Sequence, residues 1–133
     1  MRIVRSRLFT DSLERLRASD SDLFTATAAD LRYLINRRRA AELPQVRFGL
    51  AQSRHHAVMG EVRTHIHGSV AFVRTIFALP PDESVCAFLL LGDKNSQTAG
   101  AVTGNDWYDE AIPLADSLWD ALRATNPPSS TTW

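Results

Sequence analysis

Apolar positions recur at helical spacing near both ends of the chain and at strand spacing in its middle. Residues 2–8 read as a short strand, and Thr10 or Asp11 can cap a first helix. A polar break at residues 19–22 then precedes a longer helix that runs to about Ala41 before Pro44 stops it. The pattern therefore predicts two consecutive helices at the start of the chain.

The longer helix has one apolar face, interrupted only by Thr27, whose methyl group can still pack. That face consists of Phe24, Ala28, Leu31, Leu34 and Ile35. We therefore expect the first 45 residues to form an αα-hairpin with one apolar side. An apolar strip flanked by charge suits a partner helix or an added strand, so this side is also a candidate docking surface.

The middle of the chain, residues 61–93, reads as three consecutive β-strands. Gly68 and Ser69 fit a two-residue type II′ turn between the first two strands, and residues 80–83 form the second turn. Residues 85–91 are continuously apolar, which is typical of a central strand covered on both faces. A brief strand over residues 46–50 can precede them.

The C-terminal segment, residues 106–124, is predicted to be a helix that Pro113 breaks or restarts. Its expected inner stripe is Leu114, Leu118 and Leu122, and residues 126–133 are expected to be a disordered tail. The predicted architecture is a single α+β domain over residues 1–125. It consists of an αα-hairpin packed on a small antiparallel meander, with a C-terminal helix. We expect the helices to cover one face of the sheet and leave the other partly open.

The composition is that of a globular protein, with 44% hydrophobic residues and a formal net charge of zero. That zero hides an asymmetry, because residues 1–67 carry a net charge of +5 and residues 68–133 carry −5. No apolar run is long enough to span a bilayer, and the N-terminus does not look like a secretory signal. The single cysteine, Cys86, is expected to be a buried thiol in a reducing cytosol.

The first predicted strand of the middle region carries the clearest candidate chemistry. Strand residues two apart share a face, so Arg63, His65 and His67 would form a row opposite Val62 and Thr64. A permanent cation beside two groups that titrate near neutrality suits phosphate handling and proton transfer. Partly exposed strand histidines without a function are the simpler interpretation. A zinc site is disfavoured, because beside the histidines only Glu61 offers a further ligand.

Three further positions remain open between structural and functional interpretations. Arg74 lies in an otherwise apolar strand, so it either pairs with Glu61 or Asp93, or binds a phosphate beside Arg63. Lys94, the only lysine, follows the central strand directly and could reach into a site or simply be solvated. Trp107 and Tyr108 are expected to be core aromatics, with base stacking as the alternative.

The order of these parts resembles the RelE/ParE superfamily of type II toxin–antitoxin toxins, in its HigB-like, phage-derived branch. The resemblance covers roughly residues 9–123. It depends on five segments: Ser53-Arg54-His55, Glu61-Val62-Arg63, the Arg74-x-x-Phe77 strand, Leu89 to Lys94, and the Trp107-Tyr108 helix with Ile112 and Pro113.

The resemblance implies a RelE-like fold in a cytoplasmic toxin that cleaves mRNA on the ribosome and is neutralised by a cognate antitoxin in a hetero-oligomer. Such toxins promote attack of the RNA 2′-OH on the adjacent phosphate without a metal or another cofactor. The residues implied as catalytic are Arg63, His65, His67 and Arg74. Those implied in RNA binding are Arg54, His55 and Lys94.

Two other functions within the same resemblance remain open. A ParE-like member would inhibit DNA gyrase and need no catalytic row. A degenerate phage-derived domain would bind only its antitoxin. Ribonuclease toxins of this superfamily are usually markedly basic, whereas this chain is neutral with an acidic second half. Fold resemblance alone does not choose among these functions.

Overall fold

The protein is described here from a computed structural model over residues 1–94 and 104–125, with side chains in the second range from residue 107. The fold is α+β, as predicted. In chain order the elements are β1 (Arg2–Arg5), α1 (Arg7–Ser19), α2 (Ser21–Arg37), a 3₁₀ turn (Arg38–Ala40), β2 (Val46–Phe48), β3 (Met59–Thr64), β4 (Val73–Ala78), β5 (Val85–Asp93) and α3 (Gly104–Ala124).

The described strands form one five-stranded sheet in the order β1-β5-β4-β3-β2. The run from β2 to β5 is antiparallel throughout, which confirms the predicted meander. The sheet is nevertheless mixed, because β1 pairs parallel with β5 from Arg2 opposite Val85 to Arg5 opposite Phe88. The apolar β5 is interior, as expected, with β1 on one side and β4 on the other.

Helices cover both faces of the sheet, so the expectation that they cover only one is wrong. Phe9, Leu31 and Leu34 of α1 and α2 share a buried cluster with alternate residues of the strands, among them Phe77. On the opposite face, α3 contributes a second cluster of buried side chains: Ala111, Ile112, Ala115, Trp119 and Leu122. The continuous apolar character of β5 follows from this double coverage.

The two N-terminal helices differ from their predicted boundaries. Helix α1 begins at Arg7 because Ser6, not Thr10 or Asp11, is its cap and accepts a hydrogen bond from the backbone N–H of Phe9. Helix α2 ends at Arg37, short of the predicted Ala41, and the chain continues as the 3₁₀ turn. Leu31 and Leu34 of the apolar stripe of α2 lie in the protein's own core and Ile35 packs against it, whereas Phe24 and Ala28 are half-buried.

The connection between β3 and β4 is longer than the predicted two-residue hairpin. Strand β3 ends at Thr64 and β4 begins at Val73, which leaves residues 65–72 between them. Gly68, with φ of +85°, sits within this connection, where a left-handed conformation suits glycine. The second predicted turn is present, because the N–H of Glu83 donates to the carbonyl of Pro80 at 2.9 Å.

Helix α3 runs through Pro113 without a break, contrary to prediction. Proline removes one intrahelical hydrogen bond, and here the carbonyl that loses its partner belongs to the exposed residue Asp109. The expected stripe is correct in part: Leu122 is buried and Leu118 packs against the same core, but Leu114 is exposed, and Ile112 and Trp119 also face the sheet. The predicted tail, residues 126–133, lies outside the described residues. In the described part of the chain, no helix combines the length and apolarity needed to cross a bilayer.

Candidate functional site

Two arginines predicted to share a site face each other across neighbouring strands. Arg63 of β3 is directly opposite Arg74 of β4 in the antiparallel register. Glu61 lies two residues before Arg63, so strand alternation puts all three side chains on the α3 face of the sheet. The strand pairing therefore brings together two of the predicted catalytic residues and one carboxylate.

Glu61 is the centre of this group and is almost fully buried, with 1% of its surface exposed. Its Oε1 atom lies 3.5 Å from Nε of Arg74 and 3.7 Å from Nε of Arg63. The Arg74 side chain is only 4% exposed, whereas that of Arg63 is 39% exposed. The pairing of Arg74 with Glu61 is thus the structural alternative considered above, and a buried guanidinium needs such a partner.

Tyr108 joins helix α3 to this ion pair. Nε of Arg74 donates to its hydroxyl oxygen at 3.2 Å, and that hydroxyl donates to Oε1 of Glu61, also at 3.2 Å. Burial and the negative charge of Glu61 raise the pKa of Tyr108, so its phenol remains a donor at neutral pH. The structure thus gives Tyr108 a role that neither the core nor the base-stacking interpretation specified.

The second carboxylate oxygen of Glu61 has a different environment. Oε2 is buried and has no hydrogen-bond partner within the described part of the chain. All the contacts of Glu61 with Arg63, Arg74 and Tyr108 therefore converge on one oxygen. Such a one-sided arrangement holds the two arginines close together rather than neutralising each separately.

Lys94 brings a third cation to the same place. Its backbone N–H donates to the carbonyl of Phe72 at 3.0 Å, and its Nζ lies 5.6 Å from the centre of the Phe72 ring. Partial burial, followed by the positive charges of Arg74 and Arg63, lowers the pKa of Lys94. The three cations thus lie close enough to repel one another, and an anion bound among them would relieve that repulsion.

His65 reaches the site from the β3–β4 connection and not from the strand, because β3 has already ended at Thr64. Its ring stacks on Phe72 with 4.2 Å between the centroids. Its Nε2 lies 3.0 Å from the carbonyl oxygen of Ser69, so Nε2 must carry a proton. With the proton on Nε2, the lone pair of the neutral ring is on Nδ1.

The predicted strand-face row of Arg63, His65 and His67 does not form. His67 lies in a turn, is exposed, and is not among the residues lining the cavity beside Arg63. The cavity itself is open, with a volume of about 370 Å³. Its lining residues are Asp30, Pro44, Gln45, Arg63, His65, Phe72 and Arg74. Burial raises the pKa of Asp30, whose carboxylate accepts a hydrogen bond from Thr64 at 2.8 Å.

Arg54 and His55, predicted to bind RNA with these residues, lie elsewhere. They precede β3, whereas the cavity is at the strand's C-terminal end, about 20 Å away for six residues at about 3.3 Å each. Arg54 and His55 bind Asp120 of α3 at 2.9 and 2.8 Å. Ser53 donates to the buried Asp116 of the same helix. These residues therefore fasten α3 to the segment before β3.

Comparisons with known proteins do not assign the chain to a family. No family model, curated protein or solved structure matches the chain.

Within the described residues, no group of three histidine, cysteine or acidic side chains is arranged to hold a metal ion. The thiol of Cys86 is buried, as expected, and burial raises its pKa to about 12.

The sequence identifies Glu61 as a candidate partner of Arg74, and the structure pairs them. The sequence does not assign Phe72 or Tyr108 to the site. Their positions depend on how the β3–β4 connection and helix α3 fold back onto the sheet. Neither is encoded in local spacing.

Proposed function

We propose that this chain is the toxin of a type II toxin–antitoxin pair and cleaves mRNA on the ribosome. The observation that carries the proposal is the convergence of Arg63 and Arg74 on an open cavity that His65 also lines, with Lys94 next to Phe72 of the same lining. A polyanion that presents one phosphate to this cavity meets the partly exposed Arg63, and the partly exposed Lys94 lies nearby. The sequence resemblance described above supports the same class of activity.

The chemistry assigned to the site is transfer of the RNA phosphate to its own 2′-oxygen. Nδ1 of His65 takes the proton of the 2′-OH as the 2′-oxygen attacks phosphorus, and the bond to the 5′-oxygen of the next nucleotide breaks as that oxygen takes a proton from water. The products are a 2′,3′-cyclic phosphate and a 5′-hydroxyl end. Arg63 and Lys94 stabilise the charge that accumulates on the phosphorane oxygens. Arg74 is held in place by Glu61 and Tyr108, and its guanidinium adds a further positive charge next to these phosphorane oxygens.

The proposal removes three residues from the site that the sequence predicts: His67, Arg54 and His55. His65 is preferred over His67 as the acid/base group, because His65 lines the cavity. Arg54 and His55 are not assigned to the reacting phosphate, because they bind Asp120 at the far end of β3.

Neutralisation by an antitoxin belongs to the same proposal. Strand β2 is an outer strand of the sheet, and Leu43 just before it is 62% exposed. An antitoxin segment that adds to this edge would find both backbone groups and an apolar contact. The helical strip is the less favoured docking site, because its residues Leu31 and Leu34 are buried in the core.

Binding without catalysis is the second candidate function. The near-complete burial of Arg74 in an ion pair favours it, since a residue so placed can serve the fold alone. In that case the toxin would act on DNA gyrase, or the domain would only bind its antitoxin.

The test is induced expression of the chain alone, with primer extension on cellular mRNAs and a parallel assay of plasmid supercoiling. The ribonuclease proposal expects new 5′ ends within translated regions that disappear in Arg63→Gln and His65→Ala. His67→Ala is the matched control and should still cut. Intact mRNA with altered supercoiling would replace the proposal with gyrase inhibition. Intact mRNA with normal supercoiling would leave antitoxin binding alone.

A further inference from the structure

A second cavity lies next to the segment that precedes β3 and beside the C-terminal part of α3. Its volume is about 460 Å³, within the range of small-molecule sites. Its rim carries Arg54, His55, His56 and Arg123, and its apolar lining includes Val58 and Trp119. No residue is shared between this cavity and the one beside Arg63.

The cations of the rim already hold one carboxylate of the protein. Asp120 is bound by NH2 of Arg123 at 2.6 Å, by NH2 of Arg54 at 2.9 Å and by Nε2 of His55 at 2.8 Å. Hydrogen bonds from Arg123, then from Arg54, lower the pKa of Asp120 to about 2. Arg54 also faces a second carboxylate, because its Nε lies 3.9 Å from Oδ2 of the buried Asp116. Two permanent cations and an imidazole thus lie next to two carboxylates of the protein.

The two guanidinium groups keep capacity for a further anion. Their contacts with Asp120 engage only the NH2 nitrogen of each group, although each guanidinium offers five N–H donors. The side chains of Arg54 and Arg123 are 63% and 52% exposed, so a ligand can approach them from solvent. Paired arginines with free donors match the oxygens of a phosphate group.

We propose that this second cavity binds a small phosphate-bearing ligand with a flat apolar body, of the nucleoside monophosphate class. The phosphate would bind Arg54 and Arg123 at the rim, and the body would contact the apolar lining at Val58, Pro80 and Trp119. The apolar lining distinguishes this assignment from a site for inorganic phosphate alone. The site lies about 20 Å from the cationic group at Arg63, the length of the six-residue β3. The inference is therefore independent of the ribonuclease proposal.

The test is calorimetric titration of the purified chain with adenosine 5′-monophosphate, inorganic phosphate and adenosine. The monophosphate should bind at least about tenfold more tightly than either part alone, because only it uses both the rim and the apolar lining. Arg123→Gln should weaken its binding about tenfold or more, as expected for loss of a charge-assisted hydrogen bond. Asp120→Asn should strengthen it by removing the competing negative charge.

Arg17→Gln is the matched control, because Arg17 is also an exposed helical arginine paired with an acidic residue three positions before it. It should bind like the parent protein. Should Arg123→Gln melt below the assay temperature, Arg54→Gln provides the same comparison. Absence of saturable binding at millimolar monophosphate would overturn the inference. So would binding that survives both rim substitutions but is lost in Arg63→Gln, since the ligand would then occupy the first cavity.

Discussion

Replacing Glu61 with glutamine removes a buried negative charge while keeping the size of the side chain. The partner most affected is Arg74, because its side chain is 4% exposed and its Nε lies 3.5 Å from the carboxylate. Removing one member of a buried ion pair costs about 3–5 kcal/mol, since the other charge stays buried without compensation. The glutamine oxygen can still accept from Tyr108, so we expect the lower end, about 3 kcal/mol. For a domain of this size that corresponds to a fall in Tm of about 10 °C.

The assay is urea denaturation followed by tryptophan fluorescence, applied to a double-mutant cycle. Glu61→Gln and Arg74→Met should each destabilise the fold. Their combination should cost less than the sum by about 2 kcal/mol or more, because no unpaired charge remains. Glu14→Gln is the matched control: its partner Arg17 lies 3.7 Å away, but the pair is 63% and 65% exposed. We expect that control to change stability by less than about 0.5 kcal/mol.

Two results would refute this reasoning. One is a loss of less than about 1 kcal/mol in Glu61→Gln, which would mean that Arg74 is solvated and not dependent on the carboxylate. The other is strict additivity in the cycle, which would mean that Glu61 and Arg74 do not interact.

Three further predictions address the remaining contacts. Tyr108→Phe removes the hydroxyl that bridges Arg74 and Glu61 and should cost about 1–2 kcal/mol by urea denaturation, whereas unchanged stability would show that the bridge is absent. Asp120 has a pKa of about 2 instead of its ordinary 3.8, so its stabilising contribution is complete above 3.8 and is lost as the pH falls toward 2. The stability difference between the parent and Asp120→Asn should therefore shrink over that interval, and a constant difference would contradict it. Gly60→Ala would place a Cβ 2.5 Å from the Phe77 ring and 2.8 Å from a backbone carbonyl oxygen, so thermal melts should show a loss of about 2 kcal/mol or more; an equally stable alanine variant would disprove that close packing.

The elements that could be predicted from the sequence are those whose burial follows from the spacing of apolar and polar residues within the element. The continuous apolar run of β5 indicated a strand with two covered faces, and it lies inside the sheet between two helical layers. For Arg74 the sequence leaves two interpretations open, an ion pair or a position beside Arg63, and the structure shows it opposite Arg63 and paired with Glu61.

The positions that could not be predicted depend on contacts between distant segments. The strand alternation that should have aligned His65 and His67 stops at Thr64, which donates a hydrogen bond to Asp30 of α2, 34 residues away in sequence. Arg54 and His55 bind side chains of α3, so their separation from Arg63 follows from where that helix docks. The face of the sheet on which α3 packs depends on the sheet residues that α3 contacts, and the periodicity of α3 alone does not reveal it.

The claim most in need of a direct test is that the cationic group at Arg63 acts on RNA. The measurement is single-turnover cleavage of a 5′-labelled mRNA on purified translating ribosomes, comparing the parent chain with Arg63→Gln and with Arg47→Gln, an exposed arginine on β2. The account predicts cleavage that yields a cyclic phosphate, a rate reduced by about a hundredfold or more in Arg63→Gln, and a near-parental rate in Arg47→Gln. Equal rates for the two variants, or no cleavage by the parent chain, would contradict it.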